Sequence, residues 1–151
     1  MFRHILIPTD GSELSDRAVA AAMQFAKEIN ARVTGFYASP GYPIPMYYEG
    51  WVPLDPEDDS TPEKFEDAAR ERAQRVLGAF EAKAKELGVP SATHTLSSYS
   101  PWEAIIQAAN EKGCDLIFMA SHGRRGLGAV LMGSETTRVL THCKIPVLVF
   151  R

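Results

Sequence analysis

Asp115-Leu116-Ile117-Phe118-Met119-Ala120 runs without a break into Ser121-His122-Gly123-Arg124-Arg125-Gly126-Leu127-Gly128-Ala129-Val130-Leu131-Met132-Gly133-Ser134, and the fold turns on how these residues are read. The first six form a short run that is apolar throughout after Asp115, the signature of a strand buried on both faces of a parallel sheet. The glycine-rich stretch that follows ends at Ser134, where a helix to His142 is expected. A strand, a polar loop and a helix in that order make half of a strand-helix-strand unit.

Working outward, the same alternation recurs along the chain. His4-Ile5-Leu6-Ile7 is a β-branched apolar run halted by the turn formers Pro8-Thr9-Asp10-Gly11-Ser12. From Glu13 to Asn30, Leu14, Ala18, Ala21 or Ala22, Phe25 and Ile29 recur at helical spacing behind a Ser12 cap. Arg32 to Ala38 reads as a second strand. Residues 39–62 hold six of the ten prolines together with Tyr42, Tyr47, Tyr48 and Trp51, and are expected to be a proline-rich insertion without regular structure.

A helix from about Glu63 to Leu87 carries Phe65, Ala69, Ala73, Phe80 and Ala84 on one stripe and is closed by Gly88. Val89 to Leu96 reads as a polar third strand. Ser100-Pro101 opens a helix to about Lys112 that Gly113 ends, and Ile145 to Phe150 gives the fifth strand. The pattern predicts one α/β domain over residues 1–151, a doubly wound sheet with helices on both faces. Ligands of such folds lie beyond the carboxyl ends of the strands, where the winding reverses, which directs attention to the loops after the first and fourth strands.

The totals narrow the function. A formal charge of -3 provides no basic surface for many backbone phosphates, which argues against nucleic acid as the main partner. No apolar run approaches the roughly 20 residues of a membrane span, and Met1 leads into a strand-like stretch, so a soluble cytoplasmic protein without membrane contact is expected. Cys114 and Cys143 lack metal-ligand spacing and read as small hydrophobes. The four histidines show no ligand spacing either, and no metal site is expected.

Two readings of the glycine-rich loop stand side by side. In one, the glycines only make turns and the arginines are solvated. In the other, Gly123 and the turn at Gly133-Ser134 present backbone amides to a phosphate, with the Ser134 hydroxyl capping the helix or donating to the ligand, and with His122, Arg124 and Arg125 as further donors. Neither the P-loop pattern nor the dinucleotide glycine pattern is present. Asp10, at a strand end, has the chemistry to accept from ribose hydroxyls or an adenine amino group, although Asp before Gly-Ser is also an ordinary turn choice. Glu135, read as the first helical residue, would repel a phosphate unless its carboxylate points away.

Taken together, Pro8-Thr9-Asp10-Gly11-Ser12-Glu13, Ser121-His122-Gly123-Arg124-Arg125-Gly126, Gly133-Ser134 and Pro146-Val147-Leu148-Val149 resemble the universal stress protein family, in order across the whole chain. The family's nucleotide-binding branch carries glycine, two residues, glycine, nine residues, then glycine and Ser or Thr. Gly123 and Gly133-Ser134 fit that pattern, and Ala120 replaces its first glycine. With strand dihedrals Ala120 adds one methyl group, whereas a positive φ there would cost about 1 kcal/mol or more.

The resemblance implies sheet order 3-2-1-4-5, adenine and ribose near Pro8, Thr9, Asp10 and Ala38, and phosphates over Gly123, Gly133, Ser134 and Thr136. Met119, Ala120 and His122 would complete the pocket. The implied function is an adenine-nucleotide sensor or signalling protein, with ATP ahead of ADP and AMP and with Mg2+ able to accompany the phosphates. It also implies a homodimer on the apolar strand at 146–150, whose open edge by itself invites pairing. Two alternatives are an interaction protein of the same fold that no longer binds nucleotide, which Ala120 would favour, and a weak ATP hydrolase or related nucleotide enzyme. No residue set reads as an activated nucleophile beside a base, so a dedicated catalyst is not expected.

Overall fold

The computed structural model describes residues 1–41, 61–122 and 132–151. Strands and helices alternate: β1 (His4–Pro8), α1 (Glu13–Glu28), β2 (Arg32–Pro40), α2 (Pro62–Leu87), β3 (Ser91–Ser98), α3 (Pro101–Glu111), β4 (Leu116–Ala120), α4 (Ser134–His142) and β5 (Val147–Phe150). All strand pairs are parallel and the order is β3-β2-β1-β4-β5. The winding therefore reverses between β1 and β4, which lie side by side with Ile5 opposite Leu116 and Leu6 opposite Ile117.

Side chains of successive strand residues point to opposite faces, and each face has its own core. Ile5, Ile7, Leu116 and Phe118 pack with Val19, Met23 and Ala26 of α1 and Phe80 and Ala84 of α2. Leu6, Ile117 and Met119 pack with Ala104, Ile105, Ala108 and Ala109 of α3 and Val139 of α4. Ile5, Leu6 and Ile7 are completely buried, and burial of each contributes roughly 1.5–3 kcal/mol. Phe80 lies so close over Gly35 that a Cβ on Gly35 would stand 2.6 Å from its ring.

Several boundaries differ from the sequence reading, each for a local reason. β2 runs on through Ser39 and Pro40 because β3 continues beside it, with Ser97 and Ser98 as partners. Pro40 can sit there because β1 stops at Pro8 opposite Phe36, leaving no ladder on the other side for a missing N–H. At the far end of the expected insertion, Thr61 caps α2 by accepting from the Lys64 amide, and Pro62 is the first helical residue. Residues 42–60 lie outside the described residues.

Gly88 ends α2 at φ 69, as read, but Val89 then donates its amide to the Ala84 carbonyl, so β3 begins only at Ser91. Cys114 is buried, and burial pushes its thiol up to about 11, while Cys143 is only half-buried.

Candidate functional site

Thr9 continues β1 past its last strand residue, its amide donating to the Phe36 carbonyl at 2.8 Å. The chain then turns sharply. The Thr9 hydroxyl oxygen accepts from the Gly11 amide (3.3 Å) and from the buried Ser15 hydroxyl (2.9 Å). Asp10 Oδ1 accepts from the Ser12 amide at 3.0 Å, an Asx turn, and the Asp10 amide donates to Ser15 Oγ at 3.2 Å. Gly11 takes φ 72, and Ser12 caps α1 by accepting from the Ser15 amide.

Ser15 organises this loop, a role the sequence reading did not give it. The available signal was a second hydroxyl three residues after the cap. Half-buried Pro8 and Asp10, with Thr9 buried between them, form the β1 side of the site.

Beyond the sequence reading, α2 borders Asp10 as well. Burial raises the Tyr37 phenol above its usual range, Arg72 and Arg75 of α2 pull it back, and Asp10 raises it, so these charges share one neighbourhood. Gly11 also approaches the Val76 side chain of α2.

On the β4 side Ala120 is an extended strand residue; among the described non-glycine residues only Asn30 has positive φ, so the alanine adds a methyl group and no backbone strain. Its carbonyl accepts from the Thr136 hydroxyl at 3.0 Å. The Ser121 amide donates to the Phe150 carbonyl at 2.7 Å, and the Gly133 amide donates to the Ser121 carbonyl at 2.8 Å. The two ends of the loop are thus joined at a neck. A Cβ on Gly133 would stand 3.0 Å from the His122 Cα and 3.2 Å from the Ser121 oxygen.

Gly133, rather than Ser134, is the cap residue of α4, at φ -62 and ψ 151, and no side chain caps the helix. Ser134 is its first helical residue and Glu135 its second. The N–H groups of the opening turn have no acceptors within the helix, and groups of this kind can donate to an anion.

The Glu135 carboxylate stays beside that turn, bridging it to α3: its Oε1 accepts from the Ser134 hydroxyl at 3.5 Å. Its Oε2 accepts from the Trp102 amide at 2.9 Å in the first turn of α3, where Ser100 supplies no side-chain cap. Its other oxygen lies 3.8 Å from Arg138.

The structure brings Pro8, Thr9, Asp10, Ala38, Met119, Ala120, His122, Gly133, Ser134, Glu135 and Thr136 to the carboxyl edge of three neighbouring strands. Their exposure differs. Met119 packs into the core beneath α3 and α4, and Thr136 is buried with its hydroxyl committed to Ala120. His122 is half-buried, its Nδ1 3.1 Å from Ser121 Oγ. Gly123 and Arg124, with Arg125 and Gly126, lie outside the described residues.

A cavity of about 630 Å³ lies elsewhere, between α2 and the β2-β3 edge, lined by Pro40, Phe65, Leu77, Thr95 and Ser97 among others. Among the described residues no cluster of three or more His, Cys, Asp or Glu could hold a metal ion, and no helix is long and apolar enough to cross a membrane.

A doubly wound sheet, with a glycine neck and a strand-end carboxylate flanking the reversal of winding, defines an α/β protein of the class whose ligands lie at the carboxyl edge of the sheet. The chain belongs to the universal stress protein family, whose model matches residues 1–151. It is 34% identical to a universal stress protein of Thermus aquaticus over 151 residues, covering 100% of both chains.

Two solved structures share the fold. One is a universal stress protein in complex with cAMP, with TM-score 0.72 and 22% identity over 99% of this chain and 97% of that one. The other is the universal stress protein from Archaeoglobus fulgidus in complex with dAMP, with TM-score 0.68 and 16% identity over 100% of this chain and 98% of that one.

Proposed function

We propose that this chain is an adenine-nucleotide-binding stress-response protein that acts in the cytoplasm as a sensor or signalling homodimer. One observation carries the reading: the first helical amides of α4, from Ser134 on, and the Asp10 loop stand at the ends of adjacent strands where the winding reverses, the Gly133 amide itself being spent on the Ser121 carbonyl. The amides suit phosphate oxygens, and Asp10 suits ribose hydroxyls. Relatives of the same fold in complex with cAMP and dAMP support an adenine ligand.

ATP, ADP and AMP all fit this chemistry. Mg2+ would take most of its ligands from phosphate oxygens and water, with the Asp10 carboxylate as a hard donor nearby.

The extended backbone at Ala120 weakens the alternative of a relative that has lost its ligand. Isothermal titration with ATP, ADP, AMP and GTP tests the reading. Saturable binding of adenine nucleotides over GTP supports it, and no heat and no shift in melting temperature at millimolar ATP would favour a same-fold interaction protein. Phosphate release at enzyme-like rates would instead favour a hydrolase.

A further inference from the structure

A glutamate at the second position of a helix lies in the field of the amides that an incoming phosphate would use. On most surfaces such a side chain swings into solvent when an anion arrives, so its charge costs the anion little. Glu135 is not free to do this. Its Oε2 is held at 2.9 Å by the Trp102 amide, a donor that α3 leaves open because Ser100 makes no side-chain cap. Its Oε1 faces Arg138 at 3.8 Å, an exposed pair that offsets the charge only weakly.

The carboxylate therefore sits fixed beside the opening turn of α4 and takes up part of the favourable potential there.

Resting on the adenine-nucleotide reading above, we propose that Glu135 is a specificity-determining residue that discriminates by phosphate charge, penalising nucleoside triphosphates relative to monophosphates. A fixed negative charge repels a ligand in proportion to the ligand's own charge. Each added phosphate thus gains less from the first turn of α4 than that turn alone would give. Two features of the side chain are separable: its charge, which discriminates, and its hydrogen bond, which caps α3.

The test is titration of ATP and AMP, without added divalent cation, into the wild-type chain, Glu135→Gln and Glu135→Asp, with thermal melts to verify folding. Glu135→Gln keeps an acceptor for Trp102 and loses the charge. ATP should bind it about fivefold more tightly, with AMP, at about half the charge, tightened by only about twofold. Glu135→Asp keeps the charge on a shorter arm and should retain the wild-type ratio of affinities.

An unchanged ratio in Glu135→Gln, or a raised ratio in both variants, overturns the proposal while leaving nucleotide binding intact. Failure of all three chains to bind either nucleotide overturns the underlying reading and this proposal together.

Discussion

The Gly133 amide donates to the Ser121 carbonyl at 2.8 Å, and this bond, together with the one from the Thr136 hydroxyl to the Ala120 carbonyl, draws the end of β4 against the start of α4. The approach is so close that a Cβ on Gly133 would meet the His122 Cα at 3.0 Å. Because φ at Gly133 is -62, alanine there suffers no dihedral strain, and its whole cost is steric. Gly133→Ala should therefore push the neck apart, weakening ATP and AMP binding at least about tenfold while costing about 1–3 kcal/mol of stability. Calorimetry beside a denaturant melt checks both figures, and wild-type affinity in the variant would show that the neck does not shape the site.

Gly35 has a different task, on the sheet face beneath α2. A Cβ there would stand 2.6 Å from Phe80, itself almost wholly buried. Gly35→Ala should destabilise the chain by about 1–3 kcal/mol through overpacking, and Gly35→Ala with Phe80→Leu should recover part of that loss. Urea melts of the two singles and the double measure the coupling. Strict additivity would mean that the ring does not rest on this glycine.

The legible parts of the fold were those whose signals are local. The His4-Ile5-Leu6-Ile7 run, the Ser12 cap and the Gly88 stop each appear as read. What escaped was set by neighbours distant in sequence. Thr61-Pro62 is a cap and a first helical residue, yet the surrounding prolines make it look like loop. Ser39 and Pro40 are strand only because Ser97 and Ser98 lie alongside.

At the site, Asp10, Ala120 and Gly133 could be found from turns and strand ends, but the directions of side chains could not. Thr136 turns to the Ala120 carbonyl and Glu135 to the Trp102 amide, partners 16 and 33 residues away. No periodicity encodes either contact.

His4 makes stability depend on pH. Its Nε2 lies 2.7 Å from Thr34 Oγ1, while Nδ1 is buried without a hydrogen-bond partner among the described residues. Burial first, and Arg32 second, hold its pKa below the ordinary 6.5, against the opposing pull of Asp115 and the carbonyls of Lys112 and Gly113. The unfolded chain then binds a proton that the folded chain refuses. The contribution of His4 is complete above about pH 6.5 and is lost as pH falls from there towards the folded value. Melting temperature should fall across that window more steeply in the wild type than in His4→Leu, and parallel profiles would remove His4 as the cause.

The outer edge of β5 is the last place where a prediction can fail cleanly. Val147, Leu148, Val149 and Phe150 are all half-buried, and among the described residues the strand pairs with β4 on one side only. An unprotected apolar edge of this kind is unstable towards pairing with other chains. Two copies related by a two-fold axis would satisfy both edges at once and leave none open at the contact. The polar β3 edge offers no comparable gain. Sedimentation at micromolar concentration should therefore give a dimer. Val149→Lys should shift it towards monomer by at least about tenfold in dissociation constant, because a charge would be buried against an apolar partner. If the wild-type chain sediments as a monomer throughout, the edge must be managed in some other way, and the homodimer in the proposed function has to be given up.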